Sequence, residues 1–314
     1  LTRFRSVSIP PPTWRGPAPF LPLSDGKSRS DGNYDMSGKI AFQGLSGAYS
    51  DMACRAVHPD METLPCASFE DMFQAVQDGA AELAMVPIEN TVAGRVADIH
   101  HLLPNSDLNI IGEHFQRVNH RLLAVKGATL ETLETVHSHV HALSQCRKMF
   151  RELGLKPVVH ADTAGSAKEV AELGDMTRGA IASELAAEIY GLESLRNDVE
   201  DDAHNTTRFL IMAKEPIDIE LEDGPAVTTF IFRVRNVPAA LYKGLGGFAT
   251  NGVNMTKLES YMVGGAFSAT VFYADIDGHP DDTPVRLAME ELGFFSREVR
   301  ILGVYPAHPR RWET

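Results

Sequence analysis

Five polar clusters in this chain carry residue types that could do chemistry: Gln43 to Ser50, Glu89 to Thr91, Ser138 to Gln145, Asp162 to Ser166 and Asn205 to Arg208. The last lies in HNTTRFLIM, where two threonines and an arginine abut a run, Phe209 to Met212, that reads as a buried strand. A turn would use Gly, Pro, Asn or Asp, each for a backbone reason. Threonine and arginine supply side-chain donors instead, one neutral and one permanently charged, so the cluster calls for an acceptor-rich partner. In VPIENTVAG, Glu89, Asn90 and Thr91 close a strand. They either cap a helix or line the carboxyl edge of parallel strands, where ligands bind in open α/β sheets. FQGLSGAYS is a glycine-containing turn between strand and helix, either a tight connection or a cradle of free N–H groups for an anion. It has neither the dinucleotide nor the phosphate-loop spacing.

HSHVH invites a metal reading, because His137, His139 and His141 would share one face of an extended strand. No further ligand stands in register, so hydrogen-bonding histidines are expected, and neither metal nor cofactor.

Each cluster falls where a strand meets a helix. From Gly38, strands alternate with crossover helices, which indicates α/β architecture with parallel pairing, including one helix over ALSQCRKMFREL. A cleft lined by neutral donors and helix N-termini suits a small dicarboxylate. Residues 214–226 are polar, acidic and bounded by Pro and Gly, and read as a linker. Residues 227–306 then follow a βαββαβ order, the ferredoxin-like motif, with 307–314 as a tail. Residues 1–37 are Pro-rich and aperiodic, with no acid before Asp25, and read as a disordered or non-native tail ahead of a plausible start at Met36.

Composition narrows the partners. The 314 residues, 44% hydrophobic and 23% charged, provide for two domains and a full core. A net charge of −13 argues against nucleic acid or an anionic membrane as partner. The three cysteines, Cys54, Cys66 and Cys146, make a poor disulfide framework and fit a reducing compartment, so a cytoplasmic location is expected.

GLSGAYSDMA, VPIENTVAG, HSHVHALSQC, DTAGSA, IASELAAEIYGL and NTTRFLIMA, taken in order, resemble prephenate dehydratase, and the C-terminal region is similar to an ACT regulatory domain. The resemblance runs from Lys39 to Pro306. It implies a bilobed catalytic domain over 38–213, like type 2 periplasmic binding proteins, with lobe 1 formed by 38–115 and 198–213 and lobe 2 by 116–197. It also implies a carbon–oxygen lyase that turns prephenate into phenylpyruvate, carbon dioxide and water. Thr207 then falls on the catalytic threonine, with Glu89 and Asn90 beside it. Ser138, Gln145, Asp162, Thr163, Arg208, Ser46 and Tyr49 fall on substrate-binding positions, and Arg208 would hold either substrate or neighbouring acids. His141 stands where the family commonly has glutamine.

In the ACT-like region, L-phenylalanine is the implied effector, near Ala240, Leu241, Asn251, Asn254, Leu258, Glu259 and Ser260 at the interface of a homodimer or homotetramer. Ala239 stands where the first effector motif has glycine, and Tyr261 where the second has arginine. A chain cut after Lys214 is expected to stay partly active and lose the response. Arogenate in place of prephenate, a non-catalytic small-anion sensor, and a metal enzyme built on the histidines are the competing readings.

Overall fold

The computed structural model describes residues 38–312 except 236 and 263–268; the proline-rich tail and Met36 lie outside the described residues. Two compact units emerge. Among the described residues, one comprises 38–219 together with 305–312, and the other is 220–304.

The first unit opens with β1 (Lys39–Gln43), α1 (Tyr49–Val57), β2 (Glu62–Cys66), α2 (Phe69–Gln77), β3 (Leu83–Asn90), β4 (Gly94–Arg95), α3 (Ala97–Leu102) and β5 (Asn109–Arg117). The chain then builds a second sheet from β6 (Arg121–Ala124), β7 (Thr135–Ser138), α4 (Val140–Ser144), α5 (Arg147–Leu153), β8 (Lys156–Val159), α6 (Thr163–Leu173), β9 (Arg178–Ala182), α7 (Glu184–Tyr190) and β10 (Glu193–Arg196). It returns to the first sheet through β11 (Thr206–Ala213). The strand orders are β2-β1-β3-β11-β5, with β4 on β3, and β10-β6-β9-β7-β8. Each sheet is the heart of one lobe.

Pairing is mixed, not parallel throughout. β1 pairs parallel with β2 and β3, and β7 with β8 and β9, as crossover helices require. β11 runs antiparallel between β3 and β5, and β6 runs antiparallel to β9 and β10. Apart from the short β4, which folds back on β3, the exceptions are the strands that carry the chain from one lobe to the other and back, which enter their sheets from the opposite side.

Periodicity explains the packing. Neighbouring residues Leu122 and Leu123 serve opposite faces of the second sheet, the first with Val136 and Ile181, the second with Val170 and Ala186. In the first lobe Phe209 and Ile211 join Ile40, Phe42 and Met85. Each such buried side chain contributes about 1.5–3 kcal/mol.

Two local expectations give way. The single helix over 142–153 breaks into α4 and α5, because the Asp201 carboxylate accepts from the amides of Arg147 (3.0 Å) and Lys148 (2.9 Å) and so caps a new helix start. The three histidines do not share a strand face either. β7 ends at Ser138, and the His139 ring caps α4 by accepting from the His141 amide. His137 is buried beside the Thr135 hydroxyl, 3.2 Å away. Among the described residues no three His, Cys, Asp or Glu side chains cluster as a metal would need. No helix of the described chain is long and apolar enough to cross a membrane.

The second unit contains β12 (Ala226–Val234), α8 (Ala240–Thr250), β13 (Met255–Met262), β14 (Ala269–Asp277), α9 (Thr283–Phe295) and most of β15 (Ser296–Pro306). Its sheet order is β13-β14-β12-β15, over a core of Phe230, Phe232, Phe248, Phe272 and Leu292. α8 and α9 approach closely at Gly247, where a Cβ would lie 2.9 Å from that of Glu291. Ala239 opens α8 with a left-handed φ of 60°. That geometry accounts for glycine in the related motif, since a side chain there costs about 1–2 kcal/mol.

The lobes of the first unit touch at the turn before α1. Gly47 has φ +89°, and a Cβ on it would sit 2.8 Å from the Cα of Ala186 in α7. Its carbonyl accepts from the Ser183 hydroxyl and its amide donates to Asp51 (2.8 Å). Gly47→Ala is therefore expected to lose about 2–4 kcal/mol, from left-handed strain and overpacking together. Calorimetry should show a clear fall in melting temperature, and an unchanged melt would contradict this contact.

Candidate active site

β11 carries its threonines and arginine to the open end of its apolar block. Thr207 stands across from Asn90 on β3 and Gln116 on β5, and Arg208 across from Glu89 and Phe115. The β3–β11 register slips between Arg208 and Phe209, because Ile88 is extra beside Pro87. Proline cannot donate to the ladder and is tolerated at such a bulge, which re-aims the residues beyond it. Those residues are Glu89 and Asn90.

A continuous hydrogen-bonded chain starts at Thr207. The Asn90 side-chain amide donates to Thr207 Oγ1 (3.0 Å) and to Asn205 Oδ1 (2.8 Å). Its oxygen accepts from the amides of Val92 and Ala93, so the group is pinned at both ends. The Thr207 oxygen receives an N–H, which turns its own O–H away from the amide. Asn205 Nδ2 donates to Gln145 Oε1 (2.8 Å), and His120 Nε2 meets the same oxygen at 3.0 Å. An amide oxygen only accepts, so Nε2 carries a ring proton, while Nδ1 faces Tyr49 Oη, 2.8 Å away, whose hydroxyl also reaches the Asn119 carbonyl at 2.7 Å. Burial lowers the His120 pKa, opposed in part by the Gln145 bond, which agrees with the neutral form. Burial, helped by Glu200 and Cys146, holds the Tyr49 phenol well above its ordinary value. Every group in this chain is neutral.

Successive strand residues point to opposite faces, so Arg208 faces away from Thr207. Its side chain is 6% exposed. Nε donates to Glu113 (2.8 Å), Nη1 to Glu89 (3.0 Å) and Nη2 to Tyr305 Oη (3.1 Å). Glu113 also accepts from both Arg311 nitrogens, Nε and Nη2, and from the His308 amide (3.1 Å). Of its two expected roles, the structure shows Arg208 ordering acids.

The other expected residues divide. Gln145 caps α4 and joins the chain from Thr207, and Tyr49 ends it. Ser138 is fully buried and its hydroxyl donates to the Ile181 carbonyl (2.6 Å), so it braces β7 against β9 instead of presenting a donor to a ligand. Asp162 caps α6 by accepting from the Gly165 amide, and Thr163 is the first residue of that helix. Ser46 contributes its carbonyl to Tyr190 Oη (2.8 Å).

Beside Gln145 and Asn205 opens a cavity of about 400 Å³, also lined by Val92, Ala93, His141 and Arg147. This suits a small-molecule ligand. Of the three acids in its wall, Asp201 accepts from two amides of α5, Glu200 from the His120 amide (2.8 Å) and Asp202 from the His204 amide (2.8 Å).

His120, Glu113, Tyr305 and Arg311 were not picked out from the sequence. A polar His-Arg pair opening the apolar strand after Asn119 was the one available signal for His120; the other three are scattered acids, bases and a tyrosine with no local motif.

Residues 40–217 match the family model for prephenate dehydratase. The chain belongs to the prephenate dehydratase family. It is accordingly a lyase. A bifunctional N-acyl-homoserine lactone acylase/prephenate dehydratase of Komagataeibacter europaeus is 55% identical over 87% of this chain and 97% of its own length. An Arabidopsis thaliana chloroplastic arogenate dehydratase/prephenate dehydratase is 39% identical over 88% of this chain and 74% of its own. Among solved structures, the Arthrobacter aurescens prephenate dehydratase in complex with L-Phe superposes with a TM-score of 0.78, at 30% identity over 86% of this chain and 90% of that one.

The depressed His120 pKa links this dehydratase-family site to pH. Stability from the neutral ring is present above the ordinary histidine value of about 6.5 and is lost as pH falls through the lowered folded value. His120→Gln, which cannot titrate, should flatten the decline of melting temperature on acidification below about pH 6.5. Equal slopes in both proteins would show that the fold does not shift the titration of His120.

Proposed function

We propose that this chain converts prephenate to phenylpyruvate, carbon dioxide and water, and that phenylalanine restrains it. One observation supports this reading above others: Thr207 Oγ1 is held by a doubly pinned Asn90, leaving its O–H to be directed outward. Prephenate needs no more than such a donor. As its ring carboxylate leaves as carbon dioxide, the bonding pair completes the aromatic ring and the C–O bond to the ring hydroxyl breaks. Thr207 donates a hydrogen bond to the departing oxygen, stabilising the developing hydroxide, which departs as water once protonated. Threonine is too weak an acid to drive the step alone; the gain of a benzene ring drives it. Asn90 aligns the hydroxyl, Glu89 lies next to it on the bulged strand, and Gln145 and Tyr49 fix the wall behind. Arg147 supplies positive charge at the cavity. Asp162 and Thr163 place the N-terminus of α6, and Ser138 holds the sheet behind them.

Arogenate differs from prephenate by an amino group in place of the keto oxygen, and the relatives named for both substrates make it the natural second substrate to assay. A second activity is suggested by the acylase part of the 55% identical relative's name, supported by a structure described as a novel type of quorum quenching acylase (TM-score 0.81, 54% identity, 87% of this chain and 99% of that chain). Ser138, Ser144 and Ser183 each donate to a backbone carbonyl, which gives none of them a histidine base. Release of acid from an N-acyl-homoserine lactone tests this directly.

For regulation, the Glu220–Val304 unit is proposed to take phenylalanine near Asn251, Asn254 and Leu258, between protomers of a homodimer or homotetramer. Asn251 ends α8 with its amide on the Gly247 carbonyl (2.8 Å), Asn254 donates to Asp277 (2.7 Å), and Leu258 is exposed on β13. Ala240 and Leu241 begin α8, and Glu259 and Ser260 follow Leu258. The relative solved with L-Phe supports this effector. The buried free thiols of Cys54, Cys66 and Cys146 support a reducing, cytoplasmic setting.

Two measurements check the proposal. Thr207→Ala should lower turnover of prephenate by roughly 10²–10⁴-fold, as expected for a positioned donor, while Thr207→Ser keeps much more. If the two variants behave alike, the hydroxyl is not the reacting group. Titration calorimetry should register phenylalanine binding to the intact chain with parallel inhibition; no heat at millimolar concentrations would leave the second unit without this effector.

A further inference from the structure

We propose that Arg311 and Tyr305 are positioning residues for the reaction: they hold Glu113 and Arg208 so that Arg208 fixes Glu89 beside the Thr207–Asn90 pair. The inference rests on the proposed role of Thr207.

Residues 305–312 are far from the site in sequence, yet they belong to the catalytic unit. They lie along β5, an edge strand of the first sheet. His308 packs on Phe115 with ring centroids 5.2 Å apart, and Arg310 donates to the Phe115 carbonyl (3.3 Å). Tyr305 is fully buried, and the Arg311 side chain is 9% exposed. Such a segment is built in, and what it encloses is a carboxylate: the Glu113 side chain is 0% exposed.

The charges explain why the segment bears on the reaction. Arg208 lies between two glutamates, one sealed and one, Glu89, with its side chain 34% exposed at the site end. A buried carboxylate with one arginine to share would draw that arginine wholly to itself. Arg311 meets this demand by occupying both Glu113 oxygens, so Arg208 can give Nε to Glu113 and Nη1 to Glu89. Tyr305 takes Nη2 and fixes the plane of the guanidinium. Arg208 and Glu89 are register partners across the bulge, one residue from the Thr207–Asn90 pair. Releasing Arg208 from Glu89 loosens the bulge where the reacting hydroxyl is set.

The test uses the full chain with prephenate, comparing kcat and KM per folded molecule at a temperature well below each melting midpoint. Arg311→Ala should lower kcat roughly 10–100-fold with KM within about threefold, as misplacement near a reacting group does. Arg311→Lys should recover part of the loss. Tyr305→Phe, which removes only a hydroxyl, should lower kcat by about 3–10-fold on the same argument and keeps the inference testable if Arg311→Ala does not fold. The decisive variant is Arg311→Ala with Glu113→Gln, which deletes the carboxylate that competes for Arg208; it should be several-fold faster than Arg311→Ala alone. Wild-type kcat in Arg311→Ala, or a double variant no faster than the single one, overturns the inference. Loss of the reaction itself would appear separately, as a wild-type chain inactive on both prephenate and arogenate.

Discussion

A guanidinium stripped of water must find carboxylates, and Arg208 sets the terms for the strands around it. Two acids on neighbouring strands, Glu89 on β3 and Glu113 on β5, converge on it, so β11 is held from both sides by charge as well as by its ladder. Isolated ion pairs of this kind contribute little net stability, but removing one member leaves a stranded charge that costs about 3–5 kcal/mol. The cluster therefore specifies register more than it stabilises. It fixes which residue of β11 stands opposite Asn90, and that residue is Thr207.

On the other face of the same strand, the hydrogen-bonded chain that starts at Thr207 carries no charge. From Thr207 through Asn90, Asn205, Gln145 and His120 to Tyr49, side chains of both lobes are joined by uncharged donors and acceptors. For the dianionic substrate proposed above, a free base along this chain would find no proton that needs removing. Preorganised neutral dipoles stabilise charge as it develops without demanding rearrangement.

Much of this was legible in the sequence, and what was not has identifiable causes. The apolar block of β11, the strand-end position of Glu89 and Asn90, and the helix after FQGLSG follow from periodicity and local preference. The histidine stretch misled because alternation was assumed to continue past Ser138, whereas a ring nitrogen of His139 starts a helix there. The break between α4 and α5 depends on Asp201, more than fifty residues onward. Ser138 looked available because residue type does not reveal that the neighbouring strand β9, over forty residues onward, offers a carbonyl. Long-range pairs of this sort leave no trace in local pattern. Glu113 and Arg311, separated by 198 residues, are the extreme case.

That separation also imposes an order on biosynthesis. At roughly 5–20 residues per second a ribosome makes Glu113 about 10–40 s before Arg311. From the synthesis of β11 onward, the nascent catalytic unit has its apolar strands and Arg208 but carries a carboxylate whose second arginine has yet to be translated. The hydrophobic collapse of the first sheet and the closing of its charge cluster are thus separate events in time. The charge cluster closes only once residue 311 has been made.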